Sequence, residues 1–184
     1  MSTVPHRDED RVLTLYAHYF VAAELMRDNY IKLRAKRKRN GDLSQSDTVD
    51  ERIYFSTWLG FLGVTCEGFK KVRMRLLLQD QRPDEFRELI SKSNAIGRAI
   101  KQHSDPLREV RNNVFHLRDD VEAFRRFFAD ETGRLAWAEE LHKAFVDLFS
   151  EYRILCEIHY IVEGRKSEMQ HQPKISKRRR VSTL

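Results

Sequence analysis

An all-α fold, an antiparallel bundle of long helices, is what this sequence predicts, on three observations. Apolar residues recur three and four apart over long stretches, the spacing that keeps one face of a helix apolar. Glycine and proline are scarce, 7 and 4 in 184 residues, too few for a turn-rich β fold. Charged residues make up 34% and hydrophobic residues 41% of the chain, the balance of amphipathic helices around one core. A chain of this length fits a single domain.

The elements follow in order. Asp8, Glu9 and Asp10 precede Val12, Leu15, Tyr16, Tyr19, Phe20, Ala23 and Met26. That is an amphipathic helix with acidic residues at its positive end. The polar stretch from Asn40 to Asp50 reads as a loop, and a second long helix runs from about Asp50 to Gln79. Gly60, Gly63 and Gly68 fall inside it, each costing about 1 kcal/mol against alanine, so they imply close helix packing. Pro83 stops this helix, and Asp84 to Ile100 reads as a shorter one. Ser104, Asp105 and Pro106 mark the next start, because proline suits a first turn and serine or aspartate caps free amides. From there Leu107, Val110, Val114, Leu117 and Val121 form one apolar seam. Gly133 marks a turn, and a last helix spans about Leu135 to Val162. The helical domain is thus expected over residues 8–163, and residues 164–184 as a polar, basic, disordered tail.

The formal charge is +6, but Lys174, Lys177, Arg178, Arg179 and Arg180 supply five of those positives. The body is therefore nearly neutral, and any nucleic-acid surface on it must be local. Cys66 and Cys156 lie among apolar residues without a dense cysteine framework, which predicts buried free thiols. No apolar run approaches the roughly 18 residues of a membrane span, and no signal peptide opens the chain. A reducing cytoplasm, with no membrane, is the expected location. No clustered Cys, His or carboxylate set predicts a metal or other cofactor.

Five arginines are followed, after four to six residues, by a histidine: Arg11 with His18, Arg98 with His103, Arg111 with His116, Arg153 with His159, and Arg165 with His171. Spacing alone selects none of them. Only Arg111 is followed by an amide, Asn112. On a helix advancing 100° per residue, Asn112 and His116 would lie opposite the apolar seam, flanked by Asn113 and Asp120, with Arg111 about 140° from His116. These groups suit attack of an RNA 2′-hydroxyl on its neighbouring phosphate. Histidine can move the protons, and arginine can pair with the phosphate oxygens as charge accumulates. The plainer alternative is a solvated helix face, with Arg111 paired to Glu109 or Asp119 and His116 merely exposed.

Arg111-Asn112-Asn113-Val114-Phe115-His116 resembles the signature of the HEPN family, an Arg, commonly a polar residue next, and a His four to six positions after the Arg. The resemblance in helix order covers about residues 8 to 163. It implies a homodimer across the motif helices that cleaves RNA without metal, in antiviral defence, toxin–antitoxin systems or RNA processing. A separate antitoxin or regulatory protein would be a further partner. Arg111 and His116 would be catalytic, Asn112 and Asn113 would support them, and Glu67 in the second helix would hold Arg111. Lys36, Arg37, Lys38 and Arg39 close the first helix, where cations oppose its dipole, which accounts for half of that run; the excess and Arg108 are the expected contacts to an RNA backbone. Against this stands a noncatalytic helical module that dimerises and binds RNA or a partner protein.

Overall fold

Asp10 opens the helical body. Its carboxylate accepts from the backbone N–H of Val12 at 2.7 Å and of Leu13 at 3.3 Å, satisfying two amides that a helix start leaves free. The computed structural model describes residues 3–116 and 133–169. Leu117 and Val121 of the expected seam, Asp119, Asp120, and the basic cluster from Lys174 lie outside the described residues.

The first helix is interrupted. Helix α1 (Arg11–Leu15) runs through a π-helical turn (Tyr16–Phe20) into α2 (Val21–Asn40). Gly41, at φ 81°, ends it in a conformation that favours glycine. Ser44 then caps α3 (Gln45–Val72), its hydroxyl accepting from Asp47 N–H at 3.1 Å. The second helix thus begins at Gln45, not Asp50, because the polar stretch read as loop contains its own cap. It also stops early: Arg73 sits at φ 53°, ψ 52°, the only non-glycine positive φ among the described residues. A separate α4 (Met74–Asp80) follows. A 3-10 turn (Asp84–Leu89) leads into α5 (Ile90–Gln102), and α6 (Ser104–Phe115) carries the motif. Its start matches the Ser-Asp-Pro signal, yet no side chain caps it. Gly133, at φ 60°, precedes the last long helix, α7 (Arg134–Val162).

Every described element is helical, and the contacts give an antiparallel bundle. Lys36 meets Asp47, Tyr30 meets Phe55 with ring centroids 4.6 Å apart, and Leu15 meets Gly68. Residue numbers rise on α3 as they fall along α1 and α2. By the same reading α7 runs against α2 and the π-helical turn before it, through Glu139 on Arg34 and Phe145 on Phe20. It runs against α5 too, through Trp137 on Ala99 and Glu151 on Lys92. One buried cluster joins all these helices, with Trp58, Phe20, Phe145, Phe149 and Tyr152 at its centre. Trp58 and Trp137 are both core residues, as their setting predicts. Cys66 and Cys156 are buried free thiols, each pushed up to about 12 by burial. Among the described residues no helix is long and apolar enough to cross a membrane.

Two polar assemblies pin the bundle. Deep inside, Arg82 donates to Asp10 at 3.1 Å and to the Tyr152 hydroxyl at 2.6 Å, and that hydroxyl donates to Asp10 at 2.7 Å. Burial and the Asp10 carboxylate both push the Tyr152 hydroxyl upward, so it stays a donor. At the ends, Arg165 donates to the carbonyls of Val4 at 2.7 Å and Pro5 at 2.9 Å, and to both Glu168 oxygens at 2.6 Å. Glu168 in turn accepts from Arg7 N–H at 2.8 Å. The folded body therefore extends past residues 8–163 at both ends. The hydrogen bond from Arg165 holds the Glu168 carboxyl down at about 2.

Candidate functional site

Helix α6 lies close against α3 because two α3 positions have no side chain. A Cβ on Gly63 would stand 3.0 Å from Arg111 Cβ, and one on Gly60 would stand 3.0 Å from the Phe115 ring. Leu107 and Val110 are buried, and Val114 packs beside them, so this part of the seam forms as expected. The notch brings the start of the Arg111 side chain onto α3 and aims its guanidinium along that helix, one turn beyond Gly63.

There it meets Glu67. Arg111 Nη1 donates to Glu67 Oε2 at 2.8 Å, and Nη2 donates to Asn112 Oδ1 at 2.5 Å. Its Nε is buried with no hydrogen-bond partner among the described residues. The partner of Arg111 is thus Glu67 on the neighbouring helix, not Glu109 on its own. A guanidinium carries five N–H donors. The second N–H of each terminal nitrogen remains, enough for a two-point contact with a phosphate.

His116 departs from the helical-wheel expectation. Helix α6 ends at Phe115, and His116 leaves it in extended backbone, φ −128° and ψ 137°. Its N–H closes the last turn on Asn112 O at 2.9 Å, so the 100° spacing no longer fixes where the imidazole lies. The side chain is exposed and has no hydrogen bond or ion pair among the described residues. Beside it the Phe115 ring, 42% exposed, packs on Phe61 with centroids 5.2 Å apart. Arg111, Asn112 and Glu67 are brought together; His116 stands at the end of the same helix, joined to them through backbone. Asn113 is half-buried on α6.

Glu67 also lines a groove of about 610 Å³ between the α1 region and α3, with Arg11, Thr14, Tyr19 and Lys71. The π-helical turn is a local widening of a kind often found at functional sites, and it leaves Tyr19 partly exposed over this groove. Periodicity did not reveal that turn, since the apolar residues from Val12 to Met26 keep the spacings of three and four that an unbroken α-helix would show.

The basic run behaves differently from its sequence reading. Lys36 pairs with Asp47 at 2.6 Å and Arg37 pairs with Glu51, so α3 neutralises both. The Lys36 hydrogen bond, helped by Ser44, holds the Asp47 carboxyl below its ordinary range. Lys38 and Arg39 are exposed, and Arg108 pairs with Asp105 at 3.5 Å along α6. His142, by contrast, is structural. It accepts from Trp58 Nε1 at 3.2 Å and is held down at about 3 by burial and by Arg27.

The chain matches no model of a known protein family, no curated protein and no solved structure. The chemistry of the site therefore rests on these residues alone.

Proposed function

We propose that this protein is a metal-independent endoribonuclease of the HEPN type, with Arg111, Asn112 and His116 in the site and Glu67 as the residue that holds Arg111. The observation that carries the reading is the Arg111 guanidinium, fixed between Glu67 and Asn112 at the end of a helix that finishes in an exposed histidine. In the reaction, imidazole takes the proton from an RNA 2′-oxygen, which attacks the adjacent phosphorus. The bond to the 5′-oxygen breaks, that oxygen receives a proton, and the products carry a 2′,3′-cyclic phosphate and a 5′-hydroxyl. Arg111 offsets the charge that accumulates on the non-bridging oxygens. One open helix end encloses a phosphate poorly, so a second copy across a twofold axis completes the site. The exposed Phe115 ring on Phe61 gives that contact an apolar component.

Purified protein and end-labelled RNA in excess EDTA test this. Cleavage is expected to yield cyclic phosphate ends, to cease with a 2′-deoxy substrate, and to fall at least about a hundredfold in His116→Ala, the usual share of a general acid or base. Undiminished cleavage by His116→Ala removes the assignment.

One observation favours a second reading. Both terminal nitrogens of Arg111 are already engaged, as in a structural ion pair. On that reading the same dimer binds RNA or a protein without turnover, and tight RNA binding with no cleavage over hours selects it.

A further inference from the structure

A second positively charged feature lies where α3 gives way to α4 and both face α5. Lys70, Arg73, Arg75, Arg98 and Lys101 line a cleft of about 590 Å³, and no acidic residue lines it. None of the five forms an ion pair among the described residues, in contrast to Lys36, Arg37, Arg108 and Lys92, all of which are paired. Five cations without an ion pair around one concavity repel each other; the helix dipole favours Lys70 and Lys101, in the last turns of α3 and α5, but gives no such compensation to Arg75 or Arg98. An anion removes that repulsion.

The backbone adds a second observation. Arg73 holds a left-handed conformation, φ 53° and ψ 52°, which costs a non-glycine residue roughly 1–2 kcal/mol. This is the bend that turns α4 away from the line of α3 and opens the cleft. A glycine would relieve that strain, yet the position carries a guanidinium that lines the cleft. The floor is apolar, formed by buried Phe69 and Met74, while Leu76 is 47% exposed at its edge. Buried Ser93 and half-buried Asn94 add polar groups. A cationic rim over an apolar floor suits a strand in which phosphates alternate with flat bases better than it suits a bare anion.

The location connects this cleft to the Arg111 site. Lys70 follows Glu67 by one helical turn on α3, a spacing that puts Cβ atoms about 5–6 Å apart. We propose that the cleft binds the phosphate backbone of single-stranded RNA and leads it past Glu67 to Arg111. The assignment rests on reading the Arg111 site as an RNA site, and it supplies the track that the neutralised run at Lys36 and Arg37 does not.

The test is fluorescence anisotropy with a labelled 12-nucleotide 2′-fluoro oligouridine, which lacks the attacking hydroxyl and stays intact. Wild type is compared with Arg73→Gln/Arg98→Gln/Lys101→Gln and with a charge-matched control, Lys32→Gln/Arg52→Gln/Lys143→Gln, at exposed positions outside the cleft. The cleft variant is expected to bind at least about tenfold more weakly at low salt. Its slope of log affinity against log salt should fall by about 2, from three lost contacts at about 0.7 each. The control should change that slope by less than about 1. Circular dichroism melts of the cleft variant should stay within about 1 kcal/mol of wild type, since only Lys101 opposes a helix dipole and none of the three makes an ion pair among the described residues. The proposal is overturned if wild type does not bind the strand, or if the cleft variant binds with an unchanged slope. Equal displacement by polyglutamate, or by inorganic phosphate at matched ionic strength, would assign the cleft to acidic peptides or free phosphate instead. Unmodified RNA is scored for cleavage in parallel. Cleft-dependent binding without any cleavage removes the nuclease reading and leaves this one standing.

Discussion

Acidification should weaken the fold through His142. The His142 ring is buried against Phe20, with centroids 4.8 Å apart, and accepts from Trp58. Burial and then Arg27 lower its affinity for a proton to about 3, from an ordinary value of 6.5. The unfolded chain therefore takes up a proton near pH 6.5 that the folded chain refuses until about 3, and stability falls as pH drops through that interval. At pH 5 the gap below 6.5 is 1.5 units, which at about 1.4 kcal/mol per unit gives a loss of about 2 kcal/mol relative to pH 8. Glu168 and Asp47 have lowered carboxyls, so their share is lost only below the ordinary carboxylate range. His103 is also lowered, by burial and by Arg134, and acts in the same direction. The assay is consequently a difference: urea melts at pH 8 and pH 5 for wild type and His142→Gln, whose amide oxygen still accepts from Trp58 but does not titrate. The wild-type midpoint should fall by roughly 1 M more than the variant's, given a slope of about 1–3 kcal/mol per molar urea. Equal shifts in the two proteins would refute the reasoning.

Other perturbations follow from the same contacts. Gly63→Val places branches where Arg111 Cβ already stands 3.0 Å from an added Cβ; it should destabilise by about 1–3 kcal/mol, and on the proposed nuclease reading RNA cleavage should fall further than stability accounts for. Glu67→Gln removes a half-exposed ion pair, so a thermal melt should register less than about 1 kcal/mol, while on the proposed nuclease reading the turnover number should change severalfold. Asp10→Asn breaks the buried assembly with Arg82 and Tyr152 and should cost about 3–5 kcal/mol in urea unfolding. Arg165→Met should leave the bundle folded but speed proteolytic cutting before Asp10, read by mass spectrometry.

Much of the bundle was legible because it rests on periodicity. The seam of Leu107, Val110 and Val114, the aromatic face of α7, and its start just after Gly133 are local patterns. What the sequence did not reveal depends on partners distant along the chain. Asp10 reads as one of three acidic residues before a helix, and only the fold shows it caps α1 and meets Arg82 and Tyr152. Arg73 reads as helix interior, because no propensity marks a left-handed arginine. The Arg111–Glu67 contact was anticipated through a resemblance, and the notch at Gly63 gives it a geometric cause. A helical wheel misplaces His116 because the helix stops at Phe115 and the next residue is extended. The run at Lys36 looked like a free cationic surface, whereas Asp47 and Glu51, placed opposite by a short turn, neutralise half of it. Meanwhile Lys70, Arg73, Arg75, Arg98 and Lys101 are scattered over three helices, and no linear scan would group them.

The latch at Arg165 bears on how the molecule can be handled. Because Val4 and Pro5 are gripped by a residue far along the chain, the segment before Asp10 is a structural component, and a bulky group placed on it competes directly with the carbonyl contacts. The same adjacency suggests a rearranged gene: joining Met169 to Val4 through a short linker and starting translation at Asp42, just after Gly41, should preserve the packing of the described helices. A permuted protein of that kind would carry fresh termini at a site remote in sequence from both Arg111 and the latch, offering an attachment point for labels without loosening either.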